Sequence, residues 1–192
     1  MRFNDHSKLE GKHAPFSASK CSWLRYDEQK ALEVYANMNA KEMGTRLHAW
    51  AKETIDLGIK QPKSKKTIYS YVNDAIGFKM STEVVLYYSD RFFGTADAIC
   101  FRHNMLRIHD LKTGKTPVHM EQLMIYAALF CLEYKIKPDD IDMELRIYQN
   151  DEVIVHNPGY DEIVPIMDQI IRFDKVLAQV NYEEAKRHEW SN

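Results

Sequence analysis

Near residue 80 the apolar residues of this chain stop recurring at helical spacing and gather into short runs rich in β-branched and aromatic residues. After residue 113 the helical spacing returns. Upstream, a segment from about Asp27 to Ile55 carries helix formers with Leu32, Tyr35 and Met38, then Leu47, Trp50, Ala51 and Ile55, at helical intervals, and Gly44 reads as a break between two helices. Leu57 to Ser64, punctuated by Gly58 and Pro62, reads as a turn, and Ser64 precedes a second helical segment to about Gly77 with Ile68, Tyr71, Val72 and Ile76 on one side. Three strands follow as a meander: Glu83 to Tyr88 (EVVLYY), Arg91 to Phe101 (RFFGTADAICF) and Met105 to Lys112 (MLRIHDLK). Pro117 then opens a helix to about Tyr134, Ile141 to Tyr148 is a fourth strand that Val153 to Val155 extends, and a last helix from about Asp161 to His188 bends near Pro165. This order predicts an α/β (α+β) fold, a central sheet with helices on its faces.

At 192 residues the chain is expected to form one domain. Within it the pattern separates a helical part (about 13–80), a sheet-and-helix part (about 81–156) and a C-terminal helix (about 159–190). Hydrophobic residues at 45% and charged residues at 28% match a globular chain. No apolar run approaches the ~20 residues that cross a bilayer, and the opening MRFNDHSKLEGKH has no signal-like stretch, so no membrane partner and a cytoplasmic location are expected. Cys21, Cys100 and Cys131 form no C-x-x-C pair and read as buried thiols of a reducing compartment. A net charge of −2 does not advertise a nucleic-acid partner, although contact needs only a local basic surface such as Lys60, Lys63, Lys65 and Lys66, a cluster that also reads as a solvated loop.

The chemistry concentrates at the end of the third strand. Residues two apart in a strand share a face, so Asp110 and Lys112 project together, beyond the apolar Leu106 and Ile108. An apolar strand face that ends in an acid and a base is unusual for a plain amphipathic strand. Asp97 follows Gly94-Thr95-Ala96 in the neighbouring strand, where small residues leave room for close approach. Strands lie about 4.8 Å apart, so a level register lets Asp97 and Asp110 share one cation. Two carboxylates that close repel unless a cation lies between them, and Mg²⁺ prefers such hard oxygen ligands. A lysine beside the cation orients an attacking water and neutralises charge developing on a phosphate.

Gly94-Thr95-Ala96-Asp97-Ala98, then Ile108-His109-Asp110-Leu111-Lys112-Thr113-Gly114-Lys115, then Gln122-Leu123-Met124-Ile125-Tyr126 resemble, in order and spacing, the PD-(D/E)XK nucleases, specifically the RecB-like branch with its phage exonucleases and CRISPR-adaptation relatives. Gly44-Thr45-Arg46-Leu47-His48-Ala49 resembles the helical histidine motif of that branch, and His13 to Lys20 (HAPFSASK) looks like the start of phage-associated members. The resemblance spans about residues 13 to 134. It implies a restriction-endonuclease-like central mixed sheet, with His48, Asp97, Asp110 and the Leu111 carbonyl as metal ligands and Lys112 as the catalytic lysine beside Asp97 and Asp110. Gln122, Tyr126 and Lys115 are implied contacts to substrate, and Glu83 is a further candidate acid. Mg²⁺ or Mn²⁺ is the implied cofactor. Relatives that hold an iron–sulfur cluster use one N-terminal and three C-terminal cysteines; nothing after Cys131 can complete that set, so no cluster is expected.

The implied function is a metal-dependent deoxyribonuclease, an exonuclease of phage-type DNA recombination, repair or processing, acting in the host cytoplasm on single- or double-stranded DNA. A homo-oligomer or a recombination or replication partner fits the same expectation. The alternatives are a structure-specific endonuclease and a catalytically inactive nucleic-acid or protein binding module on the same fold. Gly114-Lys115-Thr116 resembles the end of a P-loop, but His109 stands where the first glycine belongs, and no zinc pattern is present.

Overall fold

The structure, a computed structural model, describes residues 5, 7–9, 14–114 and 119–189, with the backbone alone for residues 9 and 181–189. The chain divides into two compact units, residues 1–46 and 47–192. Helix α1 (Glu28–Asp56) contributes 28–46 to the first and 47–56 to the second.

In the first unit two short 3-10 turns, Ser7–Leu9 and Cys21–Arg25, precede α1. Trp23 Nε1 donates to the Ser17 carbonyl at 2.9 Å, and Phe16 packs edge-on against the Trp23 ring. Asp27 caps α1, its Oδ1 accepting the Lys30 N–H at 2.7 Å and satisfying one of the free donors of the first turn. Gly44 does not break this helix. One glycine costs about 1 kcal/mol relative to alanine, and the strong helix formers Glu42, Met43, Arg46 and Leu47 around it carry the helix through. Leu32, Tyr35 and Met38 are exposed rather than lining a core, and Cys21, expected buried, is exposed.

The second unit adds α2 (Thr67–Phe78), β1 (Ser81–Ser89), β2 (Phe92–Arg102), β3 (Met105–Leu111), α3 (Glu121–Tyr134), β4 (Asp142–Gln149), β5 (Glu152–His156) and α4 (Tyr160–Glu189). Pro117, the expected start of α3, lies outside the described residues. Helix α4 continues through Pro165. The sheet order is β1-β2-β3-β4-β5, antiparallel except for the parallel pair β3/β4, which α3 connects. This is the expected mixed α/β architecture, a mixed five-stranded sheet flanked by helices and consistent with a restriction-endonuclease-like fold. His103 and Asn104 (φ 52° and 58°) and Asn150 and Asp151 (φ 49° and 62°) form the two-residue turns after β2 and β4; two successive left-handed residues match the twist of the strands they join.

Two cores lie on opposite faces of the sheet. Leu86, Ile99, Leu106, Ile108, Leu145 and Ile147 pack with α3 and with Ile163 and Ile170 of α4. On the other face Ala98, Cys100, Leu111 and Tyr148 pack with Ala51 and Ile55 of α1 and with Tyr71, Val72 and Ala75 of α2. The buried run of α3, Ala127 to Cys131, sits over the sheet at the crossover, where β strands joined in parallel require such a cover. Lys60, Lys63, Lys65 and Lys66 are exposed between α1 and α2. Among the described residues no helix is long and apolar enough to cross a membrane.

Candidate active site

The β2/β3 pairing ends at Ala98 and His109, and Asp97 and Asp110 are the next residues of the two strands beyond that last pair. The two acids come close enough there for the charge of Asp97 to act on the Asp110 carboxyl. Asp97 Oδ2 accepts the Leu111 N–H at 3.0 Å and lies 3.5 Å from His48 Nδ1 on α1. On its other side β1 pairs Thr82 with Ala98 and Val84 with Ala96, leaving Glu83 opposite Asp97 with a left-handed φ of 49°. A non-glycine residue held there stores on the order of 1–3 kcal/mol of strain, the kind of distortion that gathers at functional sites. The alternation of β2 also breaks here: Ala96 packs in the α3 core and Ala98 in the α2 core, although two residues apart in a regular strand share a face.

Asp110 is only 3% exposed. Lys112 Nζ stands 3.1 Å from both of its oxygens, but only the approach to Oδ1 has hydrogen-bond geometry, and Oδ2 is left without a partner. Burial and then the charge of Asp97 push the Asp110 carboxyl above the usual carboxylate range, against the pull of Lys112 and His48. Beyond Lys112 a relay crosses to α3. Lys112 Nζ donates to Gln122 Oε1 at 2.9 Å, and Gln122 Nε2 donates to Tyr126 Oη at 3.1 Å. Gln122 and Tyr126 are one helical turn apart and so present one face to the strand end. The room left by Gly94 is taken by this relay: a Cβ there would lie 2.7 Å from Tyr126 Cε1. The main chain after β3 is tethered to β4, the Lys112 N–H donating to the Tyr148 carbonyl (2.9 Å) and Gln149 Nε2 to the Gly114 carbonyl (2.6 Å).

Behind the carboxylates, on the α2 face, lies a second polar group. Tyr148 Oη donates to Asp74 Oδ2 at 2.7 Å, which also receives Arg146 at 3.0 Å. With its one proton given to Asp74, Tyr148 can only accept from His109, 3.2 Å away, so Nδ1 carries the His109 proton and the unpartnered Nε2 is bare. Burial, then Arg146 and Arg107, lower the His109 pKa to about 3, and the ring is neutral. Tyr71 stacks edge-on against Tyr148 with centroids 5.4 Å apart. Burial, then the charges of Asp97, Asp110, Tyr148 and Glu83, raise its phenol pKa far above the ordinary value.

The fold thus brings His48, Asp97, Asp110, Lys112, Gln122 and Tyr126 into one chain of contacts, with Leu111 supplying an N–H to it and Glu83 exposed at its rim. Lys115 lies outside the described residues. Tyr71, Asp74 and Tyr148 went unremarked as site residues in the sequence because a tyrosine on an apolar stripe looks like any core aromatic. Among the described residues no three His, Cys, Asp or Glu side chains are grouped closely enough to cage an ion unaided. That does not disqualify Mg²⁺, which usually keeps several waters and takes only one or two carboxylates from the protein. The buried Asp110 Oδ2, which accepts no hydrogen bond and feels the charge of a second carboxylate, Asp97, fits such a partly hydrated ion.

Residues 79–152 match a family model described as Protein of unknown function (DUF2800). The match covers less than half of the chain. It contains Asp97, Asp110, Lys112, Gln122 and Tyr126 and excludes His48 and Tyr71. No curated protein and no solved structure matches the chain.

Proposed function

We propose that this protein is a Mg²⁺- or Mn²⁺-dependent deoxyribonuclease, with exonuclease action on DNA ends as its activity. One observation carries the reading: Asp97 and Asp110 lie on neighbouring strands just past their last pair, one Asp110 oxygen is buried without a hydrogen bond, and Lys112 is pinned beside it. Asp97, Asp110 and His48 are the residues to hold the ion, which when bound polarises a phosphodiester and lowers the pKa of a water. Lys112, about a third exposed, keeps its ammonium within reach of incoming substrate and offsets the negative charge that builds on the phosphate. Gln122, itself braced by Tyr126, fixes where that ammonium points, and positioning of this kind is worth large factors in rate. Asp97, anchored on the Leu111 N–H, has little rotamer freedom left to lose when ligand binds. The buried free thiols Cys100 and Cys131 fit action in a reducing cytoplasm.

The test is incubation of the purified protein and Mn²⁺ with linear and covalently closed circular DNA, single- and double-stranded, beside Lys112→Ala. Digestion of linear molecules alone, at a rate lowered at least a hundredfold in Lys112→Ala, is expected. Attack on circles refutes end dependence, and cation-insensitive binding without products refutes the nuclease.

A further inference from the structure

The connector between α1 and α2 carries charge that the site described above leaves unused. From Gly58 to Asn73 the chain has four lysines, Lys60, Lys63, Lys65 and Lys66, and no aspartate or glutamate, in a protein whose net charge is −2. All four are exposed, and none forms an ion pair among the described residues. Other lysines do, with Lys30, Lys52 and Lys112 each standing against a carboxylate. Like charges this close repel, and a polyanion laid along them relieves that repulsion.

Lysines that merely keep a loop solvated need no fixed backbone, yet this connector is held. The Gln61 N–H donates to Asn73 Oδ1 at 2.8 Å, and Asn73 Nδ2 donates back to the Gln61 carbonyl at 3.0 Å. Ser64 Oγ accepts the Lys66 N–H at 3.2 Å. The Lys66 ammonium lies over the Tyr69 ring, 5.8 Å from its centroid, and Tyr69 in turn packs at a tilt on Trp50. The flanking acids are already engaged, Asp56 with Lys52 and Thr82, Asp74 with Arg146 and Tyr148. Charges held in place lose less freedom on binding than charges on a loose loop. Lys63 and Ser64 also line a surface groove of about 610 Å³, together with Ser70 and Arg146 and, from β5, Val153 and Val155. Ammonium, guanidinium and hydroxyl groups are the usual donors to phosphate oxygens. The exposed Leu57 and Ile59 nearby suit a lipid surface as well, but a bilayer is flat, whereas a concave groove fits a narrow chain of phosphates.

Resting on the reading of the protein as a deoxyribonuclease, we propose that this surface holds the phosphate backbone of a DNA strand, with Lys63 and Ser64 at the groove and Lys60, Lys65 and Lys66 alongside it. Each phosphate so neutralised releases bound counterions and makes affinity fall with salt, by about 0.9 in the logarithmic slope for duplex DNA and about 0.7 for a single strand.

The probe is a fluorescein-labelled DNA oligonucleotide, single- or double-stranded, bound to the full chain and followed by anisotropy in EDTA, which keeps the DNA intact, from about 50 to 200 mM salt. Lys63→Gln, Lys65→Gln and Lys66→Gln together are expected to weaken binding at least tenfold and to lower the salt slope by about 2–3, with the thermal midpoint unchanged. Lys135→Gln, Lys137→Gln and Lys175→Gln together remove the same charge from other exposed positions and are expected to bind like the parent. Parent-like affinity and slope in the connector variant, or an equal loss in the second variant, overturns the proposal. Loss of binding to phosphatidylserine vesicles with DNA binding unchanged overturns it in favour of a lipid surface. Cleavage is read separately. If the parent with Mn²⁺ leaves DNA intact while the connector variant loses binding in EDTA, the nuclease reading fails and the surface stands. If the parent cuts and the variant binds DNA as the parent does, the surface fails and the nuclease reading stands.

Discussion

Asp110→Asn changes the site by one charge and almost no volume, and its effect on stability is expected to reverse with metal. In EDTA the parent buries a carboxylate with one oxygen that accepts no hydrogen bond, under the charge of a second carboxylate. Leaving a buried acceptor unsatisfied costs about 1–3 kcal/mol. The amide removes the repulsion and places a donor beside Asp97. Its debit is the Lys112 ion pair, but Lys112 is about a third exposed and keeps Gln122 as an acceptor, so that loss is under about 1 kcal/mol. The variant is therefore expected to be more stable than the parent by about 1 kcal/mol, which for a chain of this size raises the midpoint by about 2–4 °C. Mg²⁺ at a hundred times its dissociation constant stabilises the parent by about 2.7 kcal/mol, or roughly 5–10 °C, and the variant hardly at all. Thermal unfolding by circular dichroism at neutral pH, with EDTA and then with Mg²⁺, reads both signs. The pH dependence has a definite sense as well. Because the folded Asp110 carboxyl titrates above its unfolded value of 3.8, its penalty appears as pH rises through the folded value and vanishes below the unfolded one, so the gap in EDTA narrows on acidification. A variant that melts below the parent in EDTA and gains as much from Mg²⁺ would falsify this account of the site.

Three further outcomes follow from the same geometry. His109 is neutral with a pKa near 3 against 6.5 unfolded, so stability is complete above the unfolded value and falls as pH drops towards 3. At pH 5 the loss is about 2 kcal/mol by linkage, and His109→Gln should flatten the acid limb of a urea-unfolding series by that amount; an unchanged slope contradicts the assignment. Gly94→Ala drives a methyl into the Tyr126 ring and is expected to cost about 1–3 kcal/mol, measured by urea midpoint, with much of the loss recovered when Tyr126→Leu makes room. Gln122→Leu leaves Lys112 without its second anchor, and end-digestion of DNA should slow about tenfold or more at saturating substrate, while the melting midpoint shifts by no more than a few degrees.

Much of the fold is legible in the residue pattern. The strand segments are rich in β-branched and aromatic residues, and the turn residues His103-Asn104 and Asn150-Asp151 stop them where the hairpins turn. The grouping of Asp97, Asp110 and Lys112 follows from strand alternation and from the meander. Other features escaped because they depend on what lies opposite. Gly44 looks like a helix break in isolation, yet its neighbours carry α1 through; Leu32, Tyr35 and Met38 have core spacing but remain exposed, since periodicity reports only which face is apolar.

By itself the sequence determined which residue types sit at the ends of β2 and β3, because side-chain direction along a strand is a local property with a period of two. Only the tertiary structure decided that Asp97 is anchored on the Leu111 N–H, that Glu83 is strained across from it, that Lys112 is held by Gln122, and that one Asp110 oxygen is buried without a hydrogen bond. Register, burial and the satisfaction of hydrogen bonds are relations between segments far apart in the chain, and no local spacing encodes them.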